Sequence, residues 1–446
     1  MATGWRFLWA VVAVVTLSRC APPETPEPPS VTREGAALQA GLAGGDITWL
    51  KHLGNARQDG ASSVAFDRDG NILMLFEYQG SVDLGGGLIG SGDPNRYGFA
   101  VAKYTSAGAL LWTRAFEATP QPGDPISRVS APALTVDRER NVLVGGVASQ
   151  PINLGAGVRP PGAFLLKLRK TGQFQWARHF TGNLGPRSLV TDSQDAIAMV
   201  GNAYRTVDFG QGPITPSVDA QVAFLAKFNA AGAPQWSVME MWDLSSGTSV
   251  AVDEEDALYL AGHWYPDPEL WKVTSSGTVA WQRTLNGASG GVLDVAVHGN
   301  RVVAGGQFNN PFTFAGRTVP NPSSGNGGFL VAWTRAGEER WGQSFEQVVS
   351  AVAMGEDDSV VVGGHSTSPG PSGHKLFVAR LERLQGQQHW LRRYDATQRP
   401  SFTDLAVNKQ GEFVALGSFT GTVHFDADYT SRGLEDVFLF KTRTGP

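Results

Sequence analysis

The sequence predicts an all-β chain, a seven-bladed β-propeller of four-stranded antiparallel blades closed by the N-terminal strand pairing with the C-terminal blade. Three observations carry that expectation. A Gly-x-x-x-Trp signal recurs along the chain, an acidic or polar turn precedes a Val-rich strand in each interval, and the last interval lacks the Trp strand with which the first begins.

The tryptophans are Trp49, Trp112, Trp176, Trp236, Trp281, Trp341 and Trp390, each four residues after a glycine at Gly45, Gly108, Gly172, Gly232, Gly277, Gly337 and Gly386. Five residues before most of these glycines stands a base, at Lys103, Lys167, Lys227 and Lys272. Arg380 stands six before, and Ala332 takes the place in one repeat. A strand ending in the base, a tight turn ending at Gly, and a strand with Trp on its buried face account for the spacing.

A second hairpin lies upstream of each such signal. Examples are Ser63 to Asp67 followed by Asn71 to Leu75, Leu134 to Asp137 followed by Asn141 to Gly146, and Val250 to Asp253 followed by Ala257 to Gly262. Glycine is expected to end the second strand, at Gly146, Gly201, Gly262, Gly306, Gly364 and Gly417, with Phe76 in the remaining repeat. Four strands per unit, in units of roughly 45 to 65 residues, fit a propeller. The tail from Phe438 to Gly445 is a hairpin without its Trp strand, and Gly45 to Trp49 is a Trp strand without its hairpin. Joining them would leave no open sheet edge.

The strand before the acidic turn reads as innermost, because blades crowd at the axis and only small side chains fit there. One position is Ala65, Thr135, Val190, Ala251, Ala296, Ala353 and Ala406. The position two earlier, on the same face, is Ser63, Ala133, Ser188, Ser249, Asp294, Ala351 and Asp404. Insertions after the second strand, beginning at Val82, Ile152, Val207, Phe312 and Val423, are expected to project as turns and make one rim irregular; blades four and six lack them.

Composition agrees with many short strands: 55 glycines and 26 prolines in 446 residues, with 17% charged. The net charge of −5 removes any global attraction to nucleic acid or an anionic membrane. The one cysteine, Cys20, excludes an intramolecular disulfide framework and a thiolate-rich metal site.

Residues 1–20 have signal-peptide proportions, with Arg6, an apolar run from Phe7 to Leu17, and then Cys20. Leu17-Ser18-Arg19-Cys20 resembles the lipobox of bacterial lipoproteins, in which the cysteine is lipidated; it departs from that pattern at Arg19, where the family has a small residue. Residues 21–44 open with a Pro-rich stretch and read as a tether, leaving 45–446 for the propeller. The expected location is the cell envelope, outer membrane or cell surface, after export across the inner membrane, held through the lipid only.

The acidic turn before a Val-rich strand, Phe-x-x-Lys, and Gly-x-x-x-Trp together resemble the bacterial seven-bladed propeller repeat called SBBP, over about residues 45 to 446. That resemblance implies an extracytoplasmic lipoprotein and names no ligand. A weaker similarity runs to quinoprotein-type propellers, including outer-membrane assembly lipoproteins, which have eight blades.

Other motifs read as structure. Gly85-Gly-Gly-Leu-Ile-Gly90 matches a dinucleotide fingerprint but lies in a β insertion without a following helix. Asp67-Arg-Asp69-Gly-Asn71 resembles the start of a calcium loop, yet lacks a bidentate Glu, and Asp closes such turns by itself. Lys51, Arg114, Arg178, Arg283 and Arg392, two residues after Trp, share its face, so their stems can cover the indole; the alternative is a grip on an anionic polymer. The eight histidines show no metal spacing, and no nucleophile elbow appears.

No catalytic residue, metal or cofactor is therefore expected. The site residues are Cys20 for lipidation and Asp294 and Asp404 as binding carboxylates in the axial channel. The function expected is a monomeric, non-enzymatic interaction module binding a protein or glycan. The alternatives are an envelope enzyme, a lyase or quinone-dependent dehydrogenase with an axial site, and a structural role in envelope assembly.

Overall fold

The computed structural model describes residues 44–442, apart from 124–125, 240–245, 264–265, 324, 358, 371–372 and the side chain of His263. Cys20, the signal segment and all of the tether but Gly44 lie outside the described residues. Among the described residues every regular element is a strand. Alternating patterns with glycine and Asp/Asn turns dictate this: the third strands, such as Tyr97–Tyr104 and Gly327–Trp333, are apolar almost throughout because both faces are covered.

The chain folds into radially arranged antiparallel meanders, a β-propeller. The first runs Asp59–Phe66, Ile72–Gln79, Tyr97–Tyr104, Leu110–Glu117, each strand pairing with the next. The same order follows from the strands Val129–Val136, Phe174–Thr191, Ser246–Val252, Gly290–His298, Val348–Met354 and Ser401–Val407. Phe174–Thr191 serves two meanders, its start as an outer strand and its end as an inner one. The meander opened by Ser401–Val407 takes its outer strand from the other end of the chain: Ile47–Leu53 pairs with Asp436–Thr442, with Leu50 opposite Phe440. The opening strands contact one another in succession, and Ser401–Val407 contacts Asp59–Phe66.

One sequence expectation is corrected. The repeat glycine does not end the second strand; Gly146, Gly306 and Gly417 lie inside Val142–Ala148, Arg301–Phe308 and Phe413–Phe419. The inner strand carries a β-bulge opposite, with register shifts at Ser130/Ala133, Val292/Asp294 and Phe402/Asp404. A methyl group at Gly146 would meet both the Ser130 carbonyl and the Phe164 ring, so glycine is there to admit the bulge.

The insertions form small ribbons, such as Val82–Asp83 with Leu88–Ile89, whose tips are exposed while their first strands are covered. Val82, Leu84, Ile152, Leu154, Val207 and Phe209 are all buried. Blades splay apart with distance from the axis, and the apolar-polar-apolar pattern drives these ribbons into the outer wedges. The polar residue between closes the turn, as when Asp83 Oδ1 accepts from the Gly85, Gly86 and Gly87 amides.

The Gly-x-x-x-Trp signal is a dovetail between neighbours. Gly172 has φ +80°, and a Cβ there would meet the Trp112 ring at 2.9 Å. Trp112 Nε1 donates to Lys170 O at 3.1 Å, and Arg114 Nε donates to Gly172 O at 2.8 Å. The two-residues-on base thus caps the next turn, and Arg283 also covers Trp281 with its guanidinium 5.2 Å from the ring centroid. Trp390 stands against Gly45 in the same way, and Trp49 against Gly108.

Candidate binding mouth

In each meander the inner strand runs from one face of the disc to the other, so the propeller has a face where inner strands begin and a face where they turn. On the turn face the repeat carboxylates are engaged. Asp67 pairs with Lys103 at 2.7 Å, Asp137 with Lys167 at 2.8 Å and Asp192 with Lys227 at 2.8 Å. The Asp67 carboxylate also accepts from the amides of Asp69 and Asn71, which closes the turn and leaves lysine where a calcium reading would put the cation. Among the described residues no three His, Cys, Asp or Glu side chains gather as a metal site.

The two carboxylates expected to bind both lie at the bulges of inner strands and bridge neighbouring blades. Asp294 accepts from Ser249 Oγ at 2.6 Å on one side and from the Val352 amide at 2.7 Å on the other. Asp404 Oδ2 accepts from Ser63 Oγ at 2.7 Å and the Val64 amide at 2.8 Å, and Oδ1 from the Leu405 amide at 2.8 Å. Burial lifts Asp294 to about 6. Burial, with the charge of Asp294 added, lifts Asp404 to about 7. The inner strands do not ladder with one another, and these carboxylates satisfy edge amides that a ladder would otherwise take.

The opposite face, where the inner strands begin, holds two adjoining cavities. One of about 550 Å³ is walled by the first, second and last meanders and includes Asp59, Glu77, Tyr97, Arg128, Ser401 and Glu435. A second, of about 490 Å³, adjoins it through the shared Ser130 and Val147 and reaches Asn183, Arg187, Asn202 and Tyr204. Asp59 is fully covered, with Oδ2 accepting from the Asn55 amide at 2.6 Å; burial, reinforced by the charges of Asp436 and Glu435, pushes it up to about 7. Burial also raises Glu77, which accepts from the Ala131 amide at 2.8 Å and Ser130 Oγ at 3.1 Å.

Sequence reasoning missed a ring position of which Glu77, Val147, Asn202 and Ser418 line these cavities. The residue immediately after the repeat glycine, or after Phe76 in the first meander, is Glu77, Val147, Asn202, His263, Gln307, His365 or Ser418, polar in every case but one. Its register partner on the inner strand is Gly60, Ser130, Gly185, Ser246, Gly291, Val348 or Ser401, small in every case but one. At Gly60 and Gly185 the room lets Glu77 and Asn202 reach across to the next blade, and His365 does so beside the larger Val348. Asn202 Oδ1 accepts from Ser246 Oγ at 3.0 Å, and His365 Nδ1 accepts the Phe402 amide at 3.2 Å, an imidazole that burial holds down at about 4. The pattern was present in the sequence one residue beyond the glycine that drew attention.

No family model matches the chain, and no curated protein does. Among solved structures, the WD40 repeats of RRP9 align over 90% of this chain and 100% of theirs, with TM-score 0.53 and 10% identity. The structure of U3-55K aligns over 89% of this chain and 99% of its own, with TM-score 0.51 and 11% identity. At these identities the likeness is one of fold, and it agrees with the β-propeller.

Proposed function

We propose that this chain is a non-enzymatic interaction module, a seven-bladed β-propeller ring completed by Ile47–Leu53 and presented on the cell envelope through a lipid on Cys20. Its partner, a protein or a glycan, docks on the face where the inner strands begin. The observation that carries this is the pair of adjoining cavities of about 550 and 490 Å³ lined by Glu77, Asn202 and Ser418 of the ring position. The turn face holds a smaller cavity, of about 380 Å³, in which Asp137 and Asp192 are paired with the chain's own lysines.

A photo-crosslinking residue placed at Arg187 in the mouth, and another at exposed Leu111 on the perimeter, tests the assignment in whole cells. Discrete adducts from position 187 alone are expected. Equal adducts from both positions, or none from 187, overturn it.

One observation favours a second reading, an envelope enzyme: Asp59 at about 7 beside the raised Glu77 in one cavity suits proton transfer. Against it, oxygens of both carboxylates accept from the chain's own amides. Polysaccharide turnover by the parent and its loss in Asp59→Asn would favour the enzyme; no product from either removes it.

A further inference from the structure

We infer that the occupant of the mouth is an uncharged glycan strand, laid across the two adjoining cavities. The inference rests on the mouth being the docking site and narrows the partner to one class. Shape is the first argument. The cavities adjoin at Ser130 and Val147, a trough that reaches over several blades with polar and apolar groups in similar measure, as the hydroxyls and faces of sugar rings require.

Hydrogen-bonding chemistry is the second argument. A sugar hydroxyl both donates and accepts, and neighbouring hydroxyls match two-pronged planar groups. The trough offers such groups in both senses: amides at Gln58, Asn183 and Asn202, guanidinium groups at Arg128 and Arg187, and the carboxylate of Glu435. Gln58, Asn183 and Arg187 are exposed.

The aromatic rings point the same way. Half-exposed Tyr97 lines one cavity and half-exposed Tyr204 the other. A guanidinium lies near each, Arg128 at 5.0 Å and Arg205 at 4.9 Å from the ring centroid, and a half-open aromatic face suits stacking on a pyranose.

Charge and apolar content then separate the partner classes. Carboxylates at Asp59, Glu77 and Glu435 stand against Arg128 and Arg187, which selects neither a polyanion nor a polycation. A protein partner would want a desolvated apolar centre. None of the large apolar side chains exposed among the described residues, such as Leu88, Leu384 and Leu434, lines either cavity.

The test is isothermal titration of the full chain with two probes, the β-1,4-linked tetramers of glucose and of N-acetylglucosamine, at low and high salt. Saturable binding of one probe is expected, insensitive to salt and weakened about tenfold or more, some 1.4 kcal/mol, in Asn183→Ala and Arg187→Ala with unchanged melting. No binding of either probe, or binding that both variants leave intact, overturns the inference. The crosslinking from position 187 keeps the two readings apart. Protein adducts there, with no glycan binding, remove the glycan and keep the mouth; silence in both experiments removes both.

Discussion

Asp404 accepts the backbone amide of Val64 at 2.8 Å and the hydroxyl of Ser63 at 2.7 Å, joining residues some 340 positions apart in the chain. The last inner strand is thereby tied to the first at the point where neither can extend a β-ladder, and Asp294 makes the corresponding bridge to Ser249 and Val352. At these seams a side-chain carboxylate supplies the acceptor that a main-chain carbonyl supplies within a blade.

Removing that bridge should be costly. Asp404→Ala leaves the Val64 amide without its acceptor and is expected to lose about 2 to 4 kcal/mol, against about 1 for Ser63→Ala, which deletes only one donor. Urea unfolding of both variants checks this; equal, negligible losses would mean that water replaces the carboxylate without penalty.

Stability should fall as pH rises through neutrality. Asp59, Asp294 and Asp404 are raised to about 7, 6 and 7 in the folded chain, against about 3.9 when unfolded. Between those values the folded state holds more protons, so their contribution is full below about pH 4 and is lost as pH climbs through 6 to 7. His365, lowered from 6.5 to about 4, has the opposite sign and acts only below its unfolded value. The melting temperature should therefore drop between pH 6.5 and 8.5, and drop less in Asp59→Asn. A melting temperature that rises across this interval contradicts the assignment.

The dovetail gives a third expectation. Trp341 is almost fully covered, donates to Arg383 O at 3.0 Å, and lies where a Cβ on Gly386 would meet its ring at 2.7 Å. Trp341→Ala should cost about 3 to 5 kcal/mol. Gly386→Ala, at φ +74°, should cost more than about 1 kcal/mol through the left-handed backbone and the ring contact. Calorimetric melting of the two variants reads both.

Deleting residues 44–54 would strip the outer strand from Asp436–Thr442 and bare its edge. Loss of cooperative melting and a shift to aggregates on gel filtration are expected; a monomer with parental melting would show that the terminal strand is dispensable.

Cys20→Ser should release the protein from membranes, and the parent should incorporate labelled palmitate. Fractionation with the mutant still in the pellet, and no label in the parent, would remove the lipid anchor.

The sequence disclosed much of the fold and little of the mouth. Trp112, Gly172 and Lys103 announced the hairpins because strand, turn and strand are local, and a turn needing positive φ selects glycine. The bulge opposite Gly146 stayed hidden, since a glycine before a strand end and a glycine beside a bulge look alike in one dimension. The insertions were legible as turns, but Val82-Asp-Leu84 alternates, and only the wedge between two blades says which alternate side is covered.

By itself, then, the sequence determined the strands, their turns, their grouping into repeated meanders, and the small inner-strand residues around Asp294 and Asp404. These follow from nearest-neighbour backbone geometry and from a period the chain repeats. Tertiary structure alone decided that these carboxylates satisfy edge amides of adjoining blades, that Asn202 and His365 reach across to the next blade, and that two cavities adjoin at Ser130 and Val147. Those relations are made between blades, where the distances and the loss of water depend on how the sheets meet and on no local run of residues.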